Sequence, residues 1–119
     1  MRQLAGHSAL LRHLLLLDNL DTLLSSSDDW TVKMWSIQQL TCLRTFRGHK
    51  HSANQIMMFK NDVFLTVSDD STIKFWNLNS EEEEQSLTGH SSWVLSVTIL
   101  KNGQVATTGA DKTIRLWGE

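Results

Sequence analysis

The chain has no proline and no tyrosine, a single cysteine and only six glycines in 119 residues. One thiol, Cys42, excludes an internal disulfide and fits a reducing compartment. Positive charge is also scarce. Eleven Lys and Arg against thirteen Asp and Glu leave a formal net charge of −2, so the basic field of a nucleic-acid binder is missing and no nucleic acid is expected as a partner. No apolar run approaches the roughly 20 residues of a spanning helix, so no membrane partner is expected either. The stretch from Met1 to Leu17 is leucine-rich with Arg2 near its start, but Arg12 and His13 interrupt it and no small-residue cleavage pattern follows, unlike a secretory signal. The glycines do not gather into a phosphate-binding loop; Gly48 and Gly89 stand singly, as turn glycines do. Cys42 is isolated, and neither His7 with His13 nor His49 with His51 has zinc-site spacing, so neither metal nor cofactor is expected. No segment keeps a helical period.

What is present is a sentence used three times. Residues 68–76 read SDDSTIKFW, residues 27–35 read SDDWTVKMW, and residues 109–117 read GADKTIRLW. Each copy is preceded by a Gly-His pair: Gly6-His7, Gly48-His49 and Gly89-His90. Trp35, Trp76 and Trp117 follow one another at 41 residues, and the Gly-His pairs at 42 and 41. Forty per cent hydrophobic residues make one small globular domain from this length.

Within each copy the apolar spacing is that of strands. Leu11, Leu14 and Leu16 correspond to Ala53, Ile56 and Met58, then to Val94, Val97 and Ile99, and the last two of each set lie two apart. Polar turns follow at Asp18 to Asp21, Lys60 to Asp62 and Lys101 to Gly103, and the first carries the extra residue behind the 42. A second strand runs through Leu23-Leu24-Ser25, Phe64-Leu65-Thr66 and Val105-Ala106-Thr107. After the acidic turn, the third strand alternates Val32 and Met34 with Thr31, Lys33 and Trp35. A fourth, less regular strand is expected over Cys42 to Phe46 and Gln85 to Thr88. Leu4, Phe46 and Leu87 each precede a repeat His by three and share one inward position. The acidic run Glu81 to Glu84 reads as a solvated loop between third and fourth strands, with an acidic docking site as the alternative.

Gly-His before and Trp after, at a period in the low forties, resembles the WD-repeat family of β-propellers. The residue after Trp is Ser36, Asn77 or Gly118, never the Asp of the family signature. The resemblance implies an all-β fold of three four-stranded antiparallel blades: residues 1–6 as the fourth strand of a preceding or closing blade, 7–47 as blade 1, 48–88 as blade 2 and 89–119 as a three-stranded blade 3. Propellers run to about four to eight blades, so three form an incomplete ring unless copies associate or the chain is part of a longer propeller.

Each repeat also holds a His, a hydroxyl, an Asp and a Trp at fixed offsets: His7, Ser25, Asp29 and Trp35; His49, Thr66, Asp70 and Trp76; His90, Thr107, Asp111 and Trp117. A hydrolase could use one such set, but catalysis needs one pocket and one activated nucleophile, whereas three equivalent sets describe three structural joints. An indole N–H donates, a hydroxyl and a neutral imidazole do both, and a carboxylate accepts, so the four can satisfy one another. In WD-repeat relatives such a network ties each blade together.

The resemblance further implies partner contacts on the narrow face, three and five residues after the repeat His and one before the Asp. Those positions are Leu10, Arg12 and Asp28, then Ser52, Asn54 and Asp69, then Trp93, Leu95 and Ala110. Trp30, at the tip of the acidic turn, and Trp93 are the aromatic residues the strand pattern does not require, and aromatics are enriched in interface hot spots. The expectation is a non-enzymatic scaffold in the cytoplasm or nucleus that docks proteins or peptide segments. The alternatives are a hydrolase or a self-assembling half-propeller without a specific partner, pairing with a second copy. Binding of ubiquitin, histone or phosphopeptide would need a basic pocket, and Arg12 is the one cation among the contact positions.

Overall fold

The computed structural model describes residues 1–118, which leaves residue 119, assigned to blade 3 by sequence, outside the described residues. Eleven strands and no helix make up the described residues. Blade 1 is the antiparallel sheet β1 (Leu11–Leu16), β2 (Thr22–Ser27), β3 (Val32–Ser36) and β4 (Thr41–Phe46), in chain order. Blade 2 repeats it with β5 (Ala53–Lys60), β6 (Val63–Ser68), β7 (Thr72–Asn77) and β8 (Glu83–Thr88). Blade 3 has three strands, β9 (Val94–Ile99), β10 (Val105–Gly109) and β11 (Ile114–Trp117). The first strands β1, β5 and β9 neighbour one another in sequence order and form the inner edge of an open arc.

Local chemistry explains the meander. Between second and third strands the amide of Trp30 donates to Ser27 O (3.2 Å), that of Ser71 to Ser68 O (3.1 Å), and that of Lys112 to Gly109 O (3.1 Å). Trp30, Ser71 and Lys112 all take positive φ, at 77°, 74° and 71°, the left-handed residue that closes a three-residue hairpin after a type I turn. In the first β1–β2 turn the left-handed residue is Leu20 rather than an Asn or Gly; Asn19 instead accepts the amides of Asp21 and Thr22 (both 3.0 Å) on its side-chain oxygen. The turn is thus held by a side-chain acceptor rather than by a permissive backbone.

The sheets bury their faces against one another. One seam packs Leu24, Val32 and Phe46 of blade 1 on Ile56, Phe64 and Trp76 of blade 2; Phe46 meets Phe64 edge to face at 4.9 Å. The other packs Leu65, Val67, Ile73 and Phe75 of blade 2 on Val94, Val97 and Val105 of blade 3. Blade 2 is therefore buried on both sides, and burying each such side chain contributes about 1.5–3 kcal/mol. Polar pegs cross the seams: Ile56 N donates to His13 Nδ1 (3.3 Å) and Val97 N to Gln55 Oε1 (3.0 Å). Burial holds His13 below its ordinary pKa, which keeps it a neutral acceptor.

Two expectations need correction. Residues 1–6 form no strand, because a ladder requires a hydrogen-bonded neighbour and no third strand of another blade lies beside them among the described residues. They run instead along the outer face of blade 1, where Leu4 is half-buried. The acidic run is not wholly a loop, since Glu83 and Glu84 belong to β8. Lys74 on β7 is 8% exposed and needs a counter-charge, which Glu83 supplies at 2.9 Å through both oxygens. Glu81 accepts the amide of Thr45 on the β4 edge at 3.2 Å.

Candidate functional site

The thrice-repeated residues converge in each blade. In blade 1, His7 Nδ1 lies 2.7 Å from Asp29 Oδ2, His7 Nε2 2.6 Å from Ser25 Oγ, and Trp35 Nε1–H donates to Ser25 Oγ at 2.8 Å. In blade 2 the matching distances are 2.8 Å for His49 to Asp70, 2.5 Å for His49 to Thr66 and 2.9 Å for Trp76 to Thr66. In blade 3 they are 2.9 Å for His90 to Asp111, 2.8 Å for His90 to Thr107 and 2.9 Å for Trp117 to Thr107. A carboxylate only accepts, so Nδ1 carries the imidazole proton, Nε2 accepts from the hydroxyl, and the hydroxyl oxygen accepts from the indole.

Thr31, Thr72 and Thr113 form a fifth member that the offsets did not single out. Their hydroxyls donate to Oδ1 of Asp29, Asp70 and Asp111 at 2.6, 2.5 and 2.7 Å, and their amides reach the same oxygen. The other carboxylate oxygen takes the amides of Ser8, Lys50 and Ser91 at 3.0–3.1 Å. Burial opposes ionisation of Asp29 and Asp70, yet the bonds from Thr31 and His7, and from His49 and Thr72, outweigh it and hold both carboxyls well below their ordinary range. At Asp111 the Thr113 bond leads and acts the same way. The signal available in sequence was the Thr two residues after each Asp.

The connectivity from hydroxyl through imidazole to carboxylate is that of a nucleophilic triad, but access is not. Ser25, Thr66 and Thr107 are at most 1% exposed, and an indole N–H already occupies each hydroxyl oxygen. An attacking oxygen needs room for an electrophilic carbon about 3 Å away, and here that space holds tryptophan. The glycine before each His completes the fit: a Cβ on Gly6, Gly48 or Gly89 would stand 3.0, 3.0 or 2.7 Å from the Trp Cη2 beneath it. Among the described residues no group of three or more His, Cys, Asp or Glu could hold a metal ion.

Around these joints lies the rim. The predicted contact positions pair through the same backbone bond in every blade: Asp28 N to Leu10 O (2.8 Å), Asp69 N to Ser52 O (3.0 Å) and Ala110 N to Trp93 O (2.8 Å). The structure nonetheless divides them. Ser52 is 6% exposed, and Asn54 donates both amide hydrogens inward, to Asp69 Oδ1 (2.7 Å) and Val94 O (2.8 Å), so these two are seam residues. Arg12 and Asp28 form a two-pronged ion pair that raises the guanidinium pKa and lowers the carboxyl's. Leu10, Trp30, Trp93, Leu95 and Ala110 face solvent, with Trp30 at 50% and Trp93 at 52% exposure. Trp30 reaches across the seam to stack on His51 of blade 2, ring centres 6.2 Å apart and planes at 23°.

A profile of the family described as WD40, "WD domain, G-beta repeat", matches residues 1–36, 40–77 and 81–118. Among curated proteins, the chain is 47% identical over 36 residues to the probable E3 ubiquitin ligase complex SCF subunit sconB of Talaromyces stipitatus, a match covering 30% of this chain and 5% of that protein. The like-named protein of Aspergillus clavatus is 35% identical over 54 residues, 45% of this chain and 8% of that one. The chain therefore spans less than a tenth of the length of these relatives. Among solved structures, the WD40 β-propeller domain of Doa1 superposes with a TM-score of 0.87 at 24% identity, over 95% of this chain and 38% of that one, a likeness of fold.

Proposed function

The chain belongs to the WD40 family of G-beta repeats, and from that premise we propose that it is a non-enzymatic scaffold whose rim docks a protein segment within a larger assembly. The observation that carries the reading is the pair of half-exposed tryptophans, Trp30 and Trp93, presented by turns that the buried networks hold in place. A left-handed backbone strains a bulky side chain by about 1–2 kcal/mol, and glycine would relax it. Trp30 keeps an indole there at φ 77°, half in water, which supports a role for the ring outside its own blade.

The docking surface we assign is Leu10, Arg12, Asp28, Trp30, Asp69, Trp93, Leu95 and Ala110, with Ser52 and Asn54 setting its shape from below. The similar sconB proteins are described as subunits of an SCF E3 ubiquitin ligase complex, which supports membership of a multiprotein assembly. An exposed free thiol, Cys42, suits the reducing cytoplasm or nucleus.

Trp30→Ala combined with Trp93→Ala tests the reading. The double variant should keep the parental circular dichroism spectrum and lose partners recovered by affinity purification and mass spectrometry. Recovery of the same partners in the same amounts would overturn the assignment.

A further inference from the structure

The two pegs that cross the seams occupy one repeat position and differ in one property. His13 of blade 1 and Gln55 of blade 2 each follow a bulge in the first strand of their sheet, between Leu11 and His13 on β1 and between Ala53 and Gln55 on β5. Each reaches over its seam and accepts a backbone amide of the next blade, Ile56 N at 3.3 Å and Val97 N at 3.0 Å. The amide oxygen of Gln55 accepts at any ordinary pH. An imidazole nitrogen accepts only while it is bare, and a protonated ring offers two donors and no acceptor. The first seam is therefore fastened by a bond that one proton abolishes, the second by a bond that protons leave alone.

Nothing around His13 offsets a positive charge. The ring is half-buried, and the strands packed around it are β2 and β5 beside its own β1. β2 carries no ionisable side chain, and β1 and β5 add only Arg12 and Lys60, both cations. The rim carboxylates Asp28 and Asp69 are already engaged by Arg12 and Asn54. Ile56 is 1% exposed, so its amide cannot turn to water when its acceptor is lost. Opposite His13 in the β1–β2 pair stands Ser26, fully buried, its hydroxyl without a partner among the described residues. The second seam has Val67 at that repeat position. At this level the first seam already buries one unpaired polar atom, and a proton on His13 adds the Ile56 amide to it.

We propose that the seam between blades 1 and 2 is a pH-sensitive joint with His13 as its latch, closed while the imidazole is neutral and loosened when it takes a proton. Burial sets His13 below its ordinary 6.5, so the folded ring holds a proton less readily than the unfolded one. The latch is complete above about pH 6.5 and is lost as pH falls through the lower folded value. Trp30 of blade 1 stacks on His51 of blade 2 across this same seam, so loosening it breaks up the rim surface. That last consequence rests on the docking role proposed above; the latch itself does not.

Amide exchange resolved by NMR tests the latch in the whole chain, with Val97 as internal reference. Between about pH 7.5 and about pH 5, the protection of Ile56 relative to Val97, each corrected for its intrinsic rate, should fall on the order of fivefold, the contribution of one net hydrogen bond. His13→Gln, which repeats the Gln55 of blade 2 in blade 1, should keep Ile56 protected and remove the dependence on pH. The parental ring gives a second reading should that variant misfold: the His13 Hε1 resonance should titrate below pH 6.5, and Ile56 protection should fall through the same range. Equal relative protection at both pH values, an equal loss at Val97, a dependence that persists in folded His13→Gln, or a His13 resonance titrating at or above pH 6.5 would each overturn the proposal. None of these readings involves a partner, so their failure is distinct from a failure of docking.

Discussion

Replacing Thr66 by valine keeps shape and removes one oxygen, at the most enclosed of the three joints. Thr66 is fully buried, accepts from Trp76 at 2.9 Å and donates to His49 at 2.5 Å. Without the hydroxyl, the indole N–H and the imidazole Nε2 are both stranded, because Trp76 is fully buried and His49 5% exposed. Each unpaired buried group costs about 1–3 kcal/mol. The added methyl returns roughly 0.8 kcal/mol, for a net loss of about 3 kcal/mol. Domains of this size are stable by about 5–15 kcal/mol, so the loss is large. In urea, followed by circular dichroism, the midpoint should fall by roughly 1–3 M for a typical dependence on denaturant. Thr107→Val supplies the internal comparison: Trp117 is only half-buried, so water can serve its N–H and about half the loss should remain. A Thr66→Val chain that unfolds at the parental midpoint, or no more easily than Thr107→Val, would refute the bracing role.

Acid should weaken the fold in a defined window. Asp29, Asp70 and Asp111 sit below their ordinary 3.8 when folded, so the unfolded chain takes up protons first; their contribution is complete above about pH 4 and is lost as pH falls further, and Asp70→Asn should flatten part of that decline in thermal melts. Gly89→Ala places a Cβ 2.7 Å from Trp117 and should destabilise by about 1–3 kcal/mol in the urea assay.

The sheets were legible because the sequence states its pattern three times, so that turn, strand and Trp position each had two controls. Where a copy differs from its neighbours, the reading weakened. Glu83 reads as a loop residue in a run of like charges, yet it pairs with Trp76 in the β7–β8 ladder and its half-exposed carboxylate meets the buried ammonium of Lys74. Thr72 reads as an ordinary strand former at the start of β7, and nothing in its type announces that its hydroxyl completes the Asp70 shell. Ser52 and Asn54 share repeat positions with solvent-facing Leu10 and Arg12, but neighbouring backbone draws their polar atoms inward. Residues 1–6 have strand-like counterparts in β4 and β8, yet pairing is a property of two segments and cannot be read from one.

Among the described residues only the middle sheet has a neighbour on each side, so cohesion along this arc is uneven in the manner of a short stack of coins. The outer members are each gripped on one side and peel first, while the centre lets go last and takes both contacts with it. Damage at an end therefore stays local, whereas a fault of equal size in the middle dismantles the whole.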